Sequence, residues 1–272
     1  MNTLKLMVRM KFGTCIKQQS VPYNIYKLFL ILSVTESAPG AVCNSKRQER
    51  GVALLNAAEE GNVTKVQELI GCSDVDINLA DDKYGWTPLL WAAEKGHEQV
   101  VKSLIDAGAD INKARGDGWT ALHIALYWGR ENLAKTLIES GADINRQDNF
   151  LTTPLHVAAS KGLVYTVKLL IDGGADINKV QRDGRTPLHD AAEEGHAKVA
   201  KILTDAGANI LKEDRLGLTP VDYVVENDHE SVGRVLYEAR YGKIPNPFWS
   251  WTLYKTVYSL VGPGFKSLII GK

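Results

Sequence analysis

Histidine is the residue of this sequence best suited to acid–base or metal chemistry, and its six copies are regularly placed. His123, His156 and His189 follow one another at intervals of 33 residues, each within a Thr-x-Leu-His string. A catalytic or metal site needs side chains that converge on one point, whereas a fixed interval of this length predicts a ladder with one histidine in each structural unit. The other three histidines share a second register: His97, His196 and His229. We therefore predict no catalytic and no metal-ligating residue.

Other signatures of catalysis are missing from the sequence. His97 and Glu98 look like the start of a zinc-protease helix, but Val101 stands where the second histidine should be. The sequence contains no GxxxxGK[ST] phosphate loop, no GxSxG elbow and no GxGxxG turn. These observations favour a protein that is not an enzyme and that uses no cofactor and no small-molecule substrate. An enzyme would have to build its site from residues outside the repeated strings.

One short string returns through most of the chain at an interval of 33 residues. Its copies are TPLLWAAEKGH from Thr87, TALHIALYWGR from Thr120, TPLHVAASKGL from Thr153, TPLHDAAEEGH from Thr186 and TPVDYVVENDH from Thr219. A weaker copy, VALLNAAEEGN, begins at Val52, 35 residues before Thr87. Each threonine can cap a helix, and a following proline suits the first helical position because no amide donor is needed there. The glycines near the end of each string are suited to stop that helix.

The period and the Thr-Pro-Leu-His-x-Ala string resemble the ankyrin repeat. The resemblance implies an all-α fold, a solenoid of about six helix-turn-helix units, with a concave face formed by the turns and first helices. It also implies that the Thr-x-Leu-His histidines are hydrogen-bonding spacers between units. In one unit Leu151 occupies the turn position of Gly85, Gly118, Gly184 and Gly217, so this turn must either avoid a positive φ or be strained.

The positions that the repeat leaves free are rich in aromatic residues. On an ankyrin-like scaffold the turn tips and the exposed side of the first helix contact partners, and there we find Tyr84, Trp86, Trp91, Trp119, Tyr127, Trp128 and Phe150. Large aromatic side chains dominate binding hot spots, so we expect one contiguous concave patch that binds another protein. Alternatively, Trp91 and Trp128 pack against neighbouring helices, an interpretation that we consider weaker for Trp86 and Trp119. Further along, Arg182 and Arg185 begin a charged zone that would select the partner.

Composition narrows the class of protein. The 272 residues carry 32 basic and 32 acidic side chains, so the strongly basic balance of a dedicated nucleic-acid binder is missing. We expect no nucleic-acid partner. The three cysteines form no CxxC pair, which fits a reducing compartment, and we expect a cytoplasmic protein. The charge is uneven: residues 1–50 carry eight basic and two acidic side chains, residues 51–242 carry 20 and 30, and residues 243–272 carry four and none.

These differences divide the chain into three regions. We expect a basic, mostly disordered arm over residues 1–50, the repeat array over 51–242, and an aromatic-rich segment over 243–272 that forms an amphipathic helix. This helix could cover the open end of the array, lie in a membrane interface through residues 247–261, or dock on a partner, and covering is favoured. A short apolar run ending at Val34 also permits a weak secretory signal. A membrane-associated or exported effector is therefore the alternative to a cytoplasmic scaffold.

Overall fold

The computed structural model describes residues 39–72, 74–242 and 255–256, with side chains from residue 46 onward. The chain divides into two compact units, residues 1–49 and 50–272. Within the described residues all regular structure is helical. The helices are α1 (Pro39–Glu60), α2 (Val63–Ile70), α3 (Pro88–Lys95), α4 (Glu98–Asp106), α5 (Ala121–Tyr127), α6 (Glu131–Glu139), α7 (Pro154–Ser160), α8 (Val164–Asp172), α9 (Pro187–Glu193), α10 (Ala197–Asp205), α11 (Pro220–Glu226) and α12 (Glu230–Tyr241).

The repeated string produces the first helix of each unit as its residues predict. Thr87 precedes α3 in an extended conformation and accepts a hydrogen bond from the Leu90 amide, while Pro88 takes the first helical position. The string ends in a left-handed glycine, such as Gly96 with φ 80°. Because this glycine ends the first helix, the chain can reverse at once into the second helix of the unit.

The helices form two rows. From the second unit onward, each first helix packs on the first helix of the next unit, as α3 does on α5 and α7 on α9, and second helices also pack on one another, as α8 does on α10. Buried leucines, valines and paired alanines fill the space between the rows, with Leu90, Leu122, Leu155 and Leu188 among the fully buried side chains. One unit could not bury this stripe alone, so the fold depends on stacking. The predicted all-α solenoid of six helix pairs is confirmed.

The regions before and after the repeat array differ from our expectations more than the array does. Helix α1 begins at Pro39 and continues past residue 50, where we placed the boundary between arm and array, so residues 39–50 are helical although we expected a mostly disordered arm over residues 1–50. Residues 1–38 lie outside the described residues. So does most of the predicted C-terminal amphipathic helix, of which only Lys255 and Thr256 are described, both helical. No helix in the described part of the chain is long and apolar enough to span a membrane.

Two ladders of polar side chains tie successive units together along the stack. In the first, Asn78 Oδ1 accepts a hydrogen bond from the Asp110 amide of the next unit at 2.8 Å, and Asn112, Asn145 and Asn178 repeat this bond. In the second, side chains of the other histidine register contact a carbonyl oxygen of the preceding unit: His97 to Glu59, Arg130 to Glu94, His196 to Ser160 and His229 to Glu193. Sequence analysis did not assign the asparagines a role, although Asn112, Asn145 and Asn178 each end a Gly-Ala-Asp-Ile-Asn string that recurs every 33 residues.

Leu151 adopts the strained alternative of the two that its sequence position allowed. Its φ is 64°, in the left-handed region that glycine occupies in the equivalent turns, and its side chain is 41% exposed. The left-handed conformation costs a side-chain-bearing residue about 1–2 kcal/mol. The turn at Leu151 is therefore less stable than its glycine counterparts.

Replacing Leu151 by glycine should increase the free energy of unfolding by about 0.5–1 kcal/mol, because relief of strain exceeds the entropy that glycine adds to the unfolded chain. Urea denaturation measures the difference. Leu216→Gly is the matched control, since Leu216 is an exposed turn leucine without a positive φ, and this change should lower stability. Equal effects of the two substitutions would show that Leu151 is unstrained.

Candidate protein-binding surface

Aromatic side chains of the second to fourth units lie on the turns and first helices, and three of them, Trp119, Tyr127 and Trp128, are in contact. We call Tyr84, Trp91, Trp119, Tyr127, Trp128 and Phe150 the aromatic face. Tyr127 is 45% and Trp128 55% exposed, and Tyr84 and Phe150 are exposed to a similar degree. Trp91 and Trp119 are half-buried. The ring of Tyr127 meets those of Trp119 and Trp128 edge-on, at centroid distances of 5.3 and 5.5 Å.

Trp86 does not belong to the exposed set, and this corrects our expectation. Only 8% of its surface is accessible, and its indole stacks on Trp91 with centroids 4.5 Å apart. The expectation that Trp86 is more exposed than Trp128 is therefore wrong. Trp86 lies just before the helix cap Thr87, where the chain turns into the stack, whereas Trp128 follows the last residue of α5 and points away from it. Trp86 is therefore a buried ring on which Trp91 of the aromatic face packs.

Arg115 joins the two halves of the aromatic face. Its guanidinium lies 4.9 Å from the ring centroid of Trp86 and 5.1 Å from that of Trp119. Asp117 fixes it there by accepting from both Nε and Nη2, at 2.7 and 2.6 Å. Although burial alone would raise the pKa of Asp117, the hydrogen bonds and charge of Arg115 hold it below its usual value. Asp117 is therefore ionised at neutral pH, and the pair is a fixed part of the surface.

A depression of about 400 Å³ lies beside this pair, in the turns of the second and third units. Lys83, Tyr84, Trp86, Arg115, Gly116 and Asp117 line it. The two turns are held together by a backbone hydrogen bond of 2.8 Å from the Gly116 amide to the Tyr84 carbonyl oxygen. The depression is open to solvent and wide enough for a side chain of a partner.

Trp119 is held by a hydrogen bond as well as by packing. Its indole Nε1 donates to Asp148 Oδ2 at 2.9 Å, across to the turn of the next unit. Asp148 is buried, and its other oxygen accepts from the amides of Phe150 and Thr152. One carboxylate thus orders both Trp119 and the turn that carries Phe150. A face held in this way loses little conformational entropy when it binds.

The two arginines of the predicted charged zone have different environments. Arg182 lies over the exposed ring of Phe150, at 5.4 Å from the centroid. Arg185 is only 17% exposed, because Asp190 and Glu193 both accept hydrogen bonds from it. Burial raises the pKa of Asp190 to about 7, against the opposing charge of Arg185. Our interpretation of Arg185 as a partner-contacting residue is therefore weakened, since its charge is already used inside the protein.

The histidines have the structural role that the repeat implies. His123, His156 and His189 are buried, and each ring contacts the threonine that begins its own helix and a carbonyl oxygen of the next unit. They are spaced along the stack and do not converge. Across the described part of the chain, no group of three His, Cys, Asp or Glu side chains could hold a metal ion.

The sequence analysis missed the cations of the face. Lys83, Lys95, Arg115 and Lys161 each lie over one of its rings, and none of them was singled out. A signal was present, since Lys95 and Lys161 occupy the same position of the repeated string, directly before its glycine. Arg115 could not have been found in this way. It contacts Trp86, which lies 29 residues earlier in the chain, and only the folded stack brings the two turns together.

Comparison with known proteins agrees with the repeat architecture. The family model for ankyrin repeats matches residues 54–148 and 155–246, which together are more than half of the chain. The chain belongs to the ankyrin repeat family. Ankyrin repeats are protein–protein interaction domains, so the array is a domain of that kind. The family also accounts for the Thr-Pro-Leu-His strings and the two ladders.

Similar curated proteins share only part of the array. Ankyrin repeat domain-containing protein 40 of Mus musculus is 40% identical over 65 residues, which are 24% of this chain and 18% of the relative. Ankyrin repeat domain-containing protein 29 of Danio rerio is 41% identical over 63 residues, 23% of this chain and 21% of the relative. The palmitoyltransferase akr1 of Neurospora crassa is 38% identical over 64 residues, 24% of this chain and 9% of the enzyme. The aligned part is thus about a fifth or less of each relative.

Proposed function

We propose that the protein is a non-catalytic scaffold or adaptor that recognises a partner protein through the aromatic face. The observation that carries the proposal is the exposure of Tyr127 and Trp128 at the end of α5, on a base that Trp86, Arg115 and Asp148 hold rigid. The stack does not need these two rings for its core. Exposed aromatic side chains on a rigid base are the usual anchors of protein interfaces.

The chemistry of the described residues supports a binding role over a catalytic one. The titratable groups with displaced pKa values are engaged in the fold: burial lowers the pKa of the ladder histidines, and Asp117 and Asp190 are bound by arginines. The enzymes among the relatives match this chain over 9% or less of their own length, within the repeats. Their activities therefore give no reason to assign one here.

The double substitution Tyr127→Ala/Trp128→Ala should weaken capture of the natural partner by at least about 2 kcal/mol, because it removes the two most exposed rings of the connected cluster. The measurement is affinity capture with the full-length chain as bait, followed by quantitative mass spectrometry of proteins retained by the native chain. Proteins lost only from the double mutant are the candidate partners.

Tyr165→Ala is the matched control. Tyr165 is 50% exposed but lies on α8, in the row of second helices, on which the proposal places no partner. Its removal should leave capture unchanged. If the double mutant retains every protein that the native chain retains, the aromatic face is not the binding surface.

For the C-terminal segment we propose that it covers the end of the array. Lys255 Nζ lies 2.6 Å from Asp228 Oδ1, in the last unit, which connects the described helical turn of this segment to the repeat stack. Peripheral membrane contact through residues 247–261 would require the same segment to face lipid. Cytoplasmic localisation, and the alternative of a membrane-associated or exported effector, stay predictions from the sequence.

A further inference from the structure

Five of the six rings of the aromatic face have a cation of this protein beside them. Lys83 Nζ lies 4.6 Å from the ring centroid of Tyr84, Lys95 Nζ 5.3 Å from that of Trp91, and Lys161 Nζ 4.3 Å from that of Tyr127. The guanidinium of Arg115 lies over the ring of Trp119, and that of Arg182 lies over the ring of Phe150. The negative potential at the face of an aromatic ring attracts cations, and on these rings a lysine or arginine of the protein itself already occupies that position. An incoming lysine or arginine would have to displace a tethered cation and would be repelled by the others.

Carboxylates pair with only some of these cations. Asp117 is bound by Arg115, Asp148 by Trp119 and by turn amides, and Glu94 Oε2 lies 3.8 Å from Lys95 Nζ. For Lys83, Lys161 and Arg182, the described residues provide no carboxylate within ion-pair distance. Asp82 is exposed beside Lys83 in the chain but forms no ion pair with it. Lys83, Lys161 and Arg182 are therefore cations of the face without a paired carboxylate, although the array as a whole is acidic.

The charge changes sign along the row of first helices. The residue before the helix-ending position is Lys95 in the second unit and Lys161 in the fourth, but Glu194 in the fifth and Asn227 in the sixth, where Glu226 is exposed as well. The lysines at this position thus lie in units that carry exposed rings, and Arg182 reaches Phe150 from the turn of the fifth unit. Charge and exposed apolar surface coincide, as expected where a partner must complement both.

We propose that the aromatic face binds an acidic segment of the partner protein, in which aspartate or glutamate residues flank one aromatic or aliphatic side chain. The apolar side chain covers Tyr127 and Trp128, and the carboxylates meet Lys83, Lys161 and Arg182. This inference rests on the proposed function and adds the chemistry of the partner. It also predicts that the face binds acidic segments more tightly than basic ones, because its cations repel a basic segment.

The test is a selection of short random peptides, displayed on phage, against the full-length chain. Enriched sequences should be rich in aspartate and glutamate around an aromatic or aliphatic residue. One enriched peptide, labelled with a fluorophore, is then titrated by anisotropy. Lys83→Glu/Lys161→Glu should weaken binding of this peptide at least about tenfold. Raising the salt concentration from about 50 to about 500 mM should weaken binding to the native chain but not to this double mutant.

The control for charge alone is Lys168→Glu/Lys198→Glu, which makes the same change at two exposed lysines of the second-helix row and should leave binding unaffected. Enriched peptides that are neutral or basic, yet lose affinity with Tyr127→Ala/Trp128→Ala, would overturn the acidic-partner inference and leave the proposed function standing. Peptides that respond to neither pair of substitutions, or the enrichment of no peptide, would overturn the inference and count against the aromatic face itself.

Discussion

Acidification from about pH 7 to about pH 4 is expected to remove about 3 kcal/mol from the free energy of unfolding through His156 alone. Burial lowers the pKa of His156 to about 4, whereas in the unfolded chain it returns to its ordinary value of about 6.5. Between these two values the unfolded chain binds the proton and the folded chain does not. Stability from this group is therefore complete above about pH 6.5 and is lost as the pH falls toward 4.

The hydrogen bonds of His156 explain why the folded protein resists the proton. Its Nδ1 accepts from the Thr153 amide at 3.2 Å, and its Nε2 lies 3.2 Å from the Arg185 carbonyl oxygen in the next unit. The ring must therefore carry its proton on Nε2, and a second proton on Nδ1 would break the bond to Thr153. His123 and His189 repeat the arrangement, and burial lowers the pKa of each, so the total loss should exceed that of His156.

A comparison with His156→Asn isolates this contribution from all other titrating groups. Urea denaturation of both proteins at several pH values gives the difference in their free energies of unfolding. This difference should shrink by about 3 kcal/mol between pH 7 and pH 4, because the variant lacks the group that titrates. A difference that does not vary with pH would mean that His156 can be protonated inside the folded stack.

The fold was accessible from the sequence because each of its requirements is local and repeated. A threonine cap recurs in all five copies at one interval, and most copies add a proline in the first turn, paired alanines and a glycine stop, so the copies reinforce one interpretation. Even Leu151, the departure from the pattern, was correctly identified as a choice between two conformations. The aromatic face was only partly accessible, because a repeat position identifies the side of a helix but not the contacts between turns of neighbouring units.

Trp86 shows where such reasoning stops. Its sequence position is a turn residue, which suggests exposure, and the same position in the next unit holds the half-buried Trp119. What buries Trp86 is the stacking of Trp91 on one side and the guanidinium of Arg115, from the following unit, on another. Neither contact follows from periodicity. The exposure of a large side chain in a repeat protein is decided by the non-repeated residues around it.

This difference between Trp86 and Trp128 predicts opposite effects of the same substitution. Trp86→Ala should lower the free energy of unfolding by about 3 kcal/mol, because it leaves a cavity under Trp91 and removes one of the two rings that hold Arg115. Trp128→Ala should change stability by about 0.5 kcal/mol or less, since 55% of the residue is exposed, but should weaken binding of the partner.

Urea denaturation of both variants, together with a binding measurement under conditions in which each is fully folded, separates the two roles. The earlier interpretation, in which Trp86 is an exposed anchor, requires that its loss leave the unfolding curve unchanged and reduce binding as strongly as the loss of Trp128. A native unfolding curve for Trp86→Ala would therefore contradict the buried position of this ring. Destabilisation by Trp128→Ala comparable to that of Trp86→Ala would instead show that the exposed ring belongs to the core, and the aromatic face would lose its most exposed tryptophan.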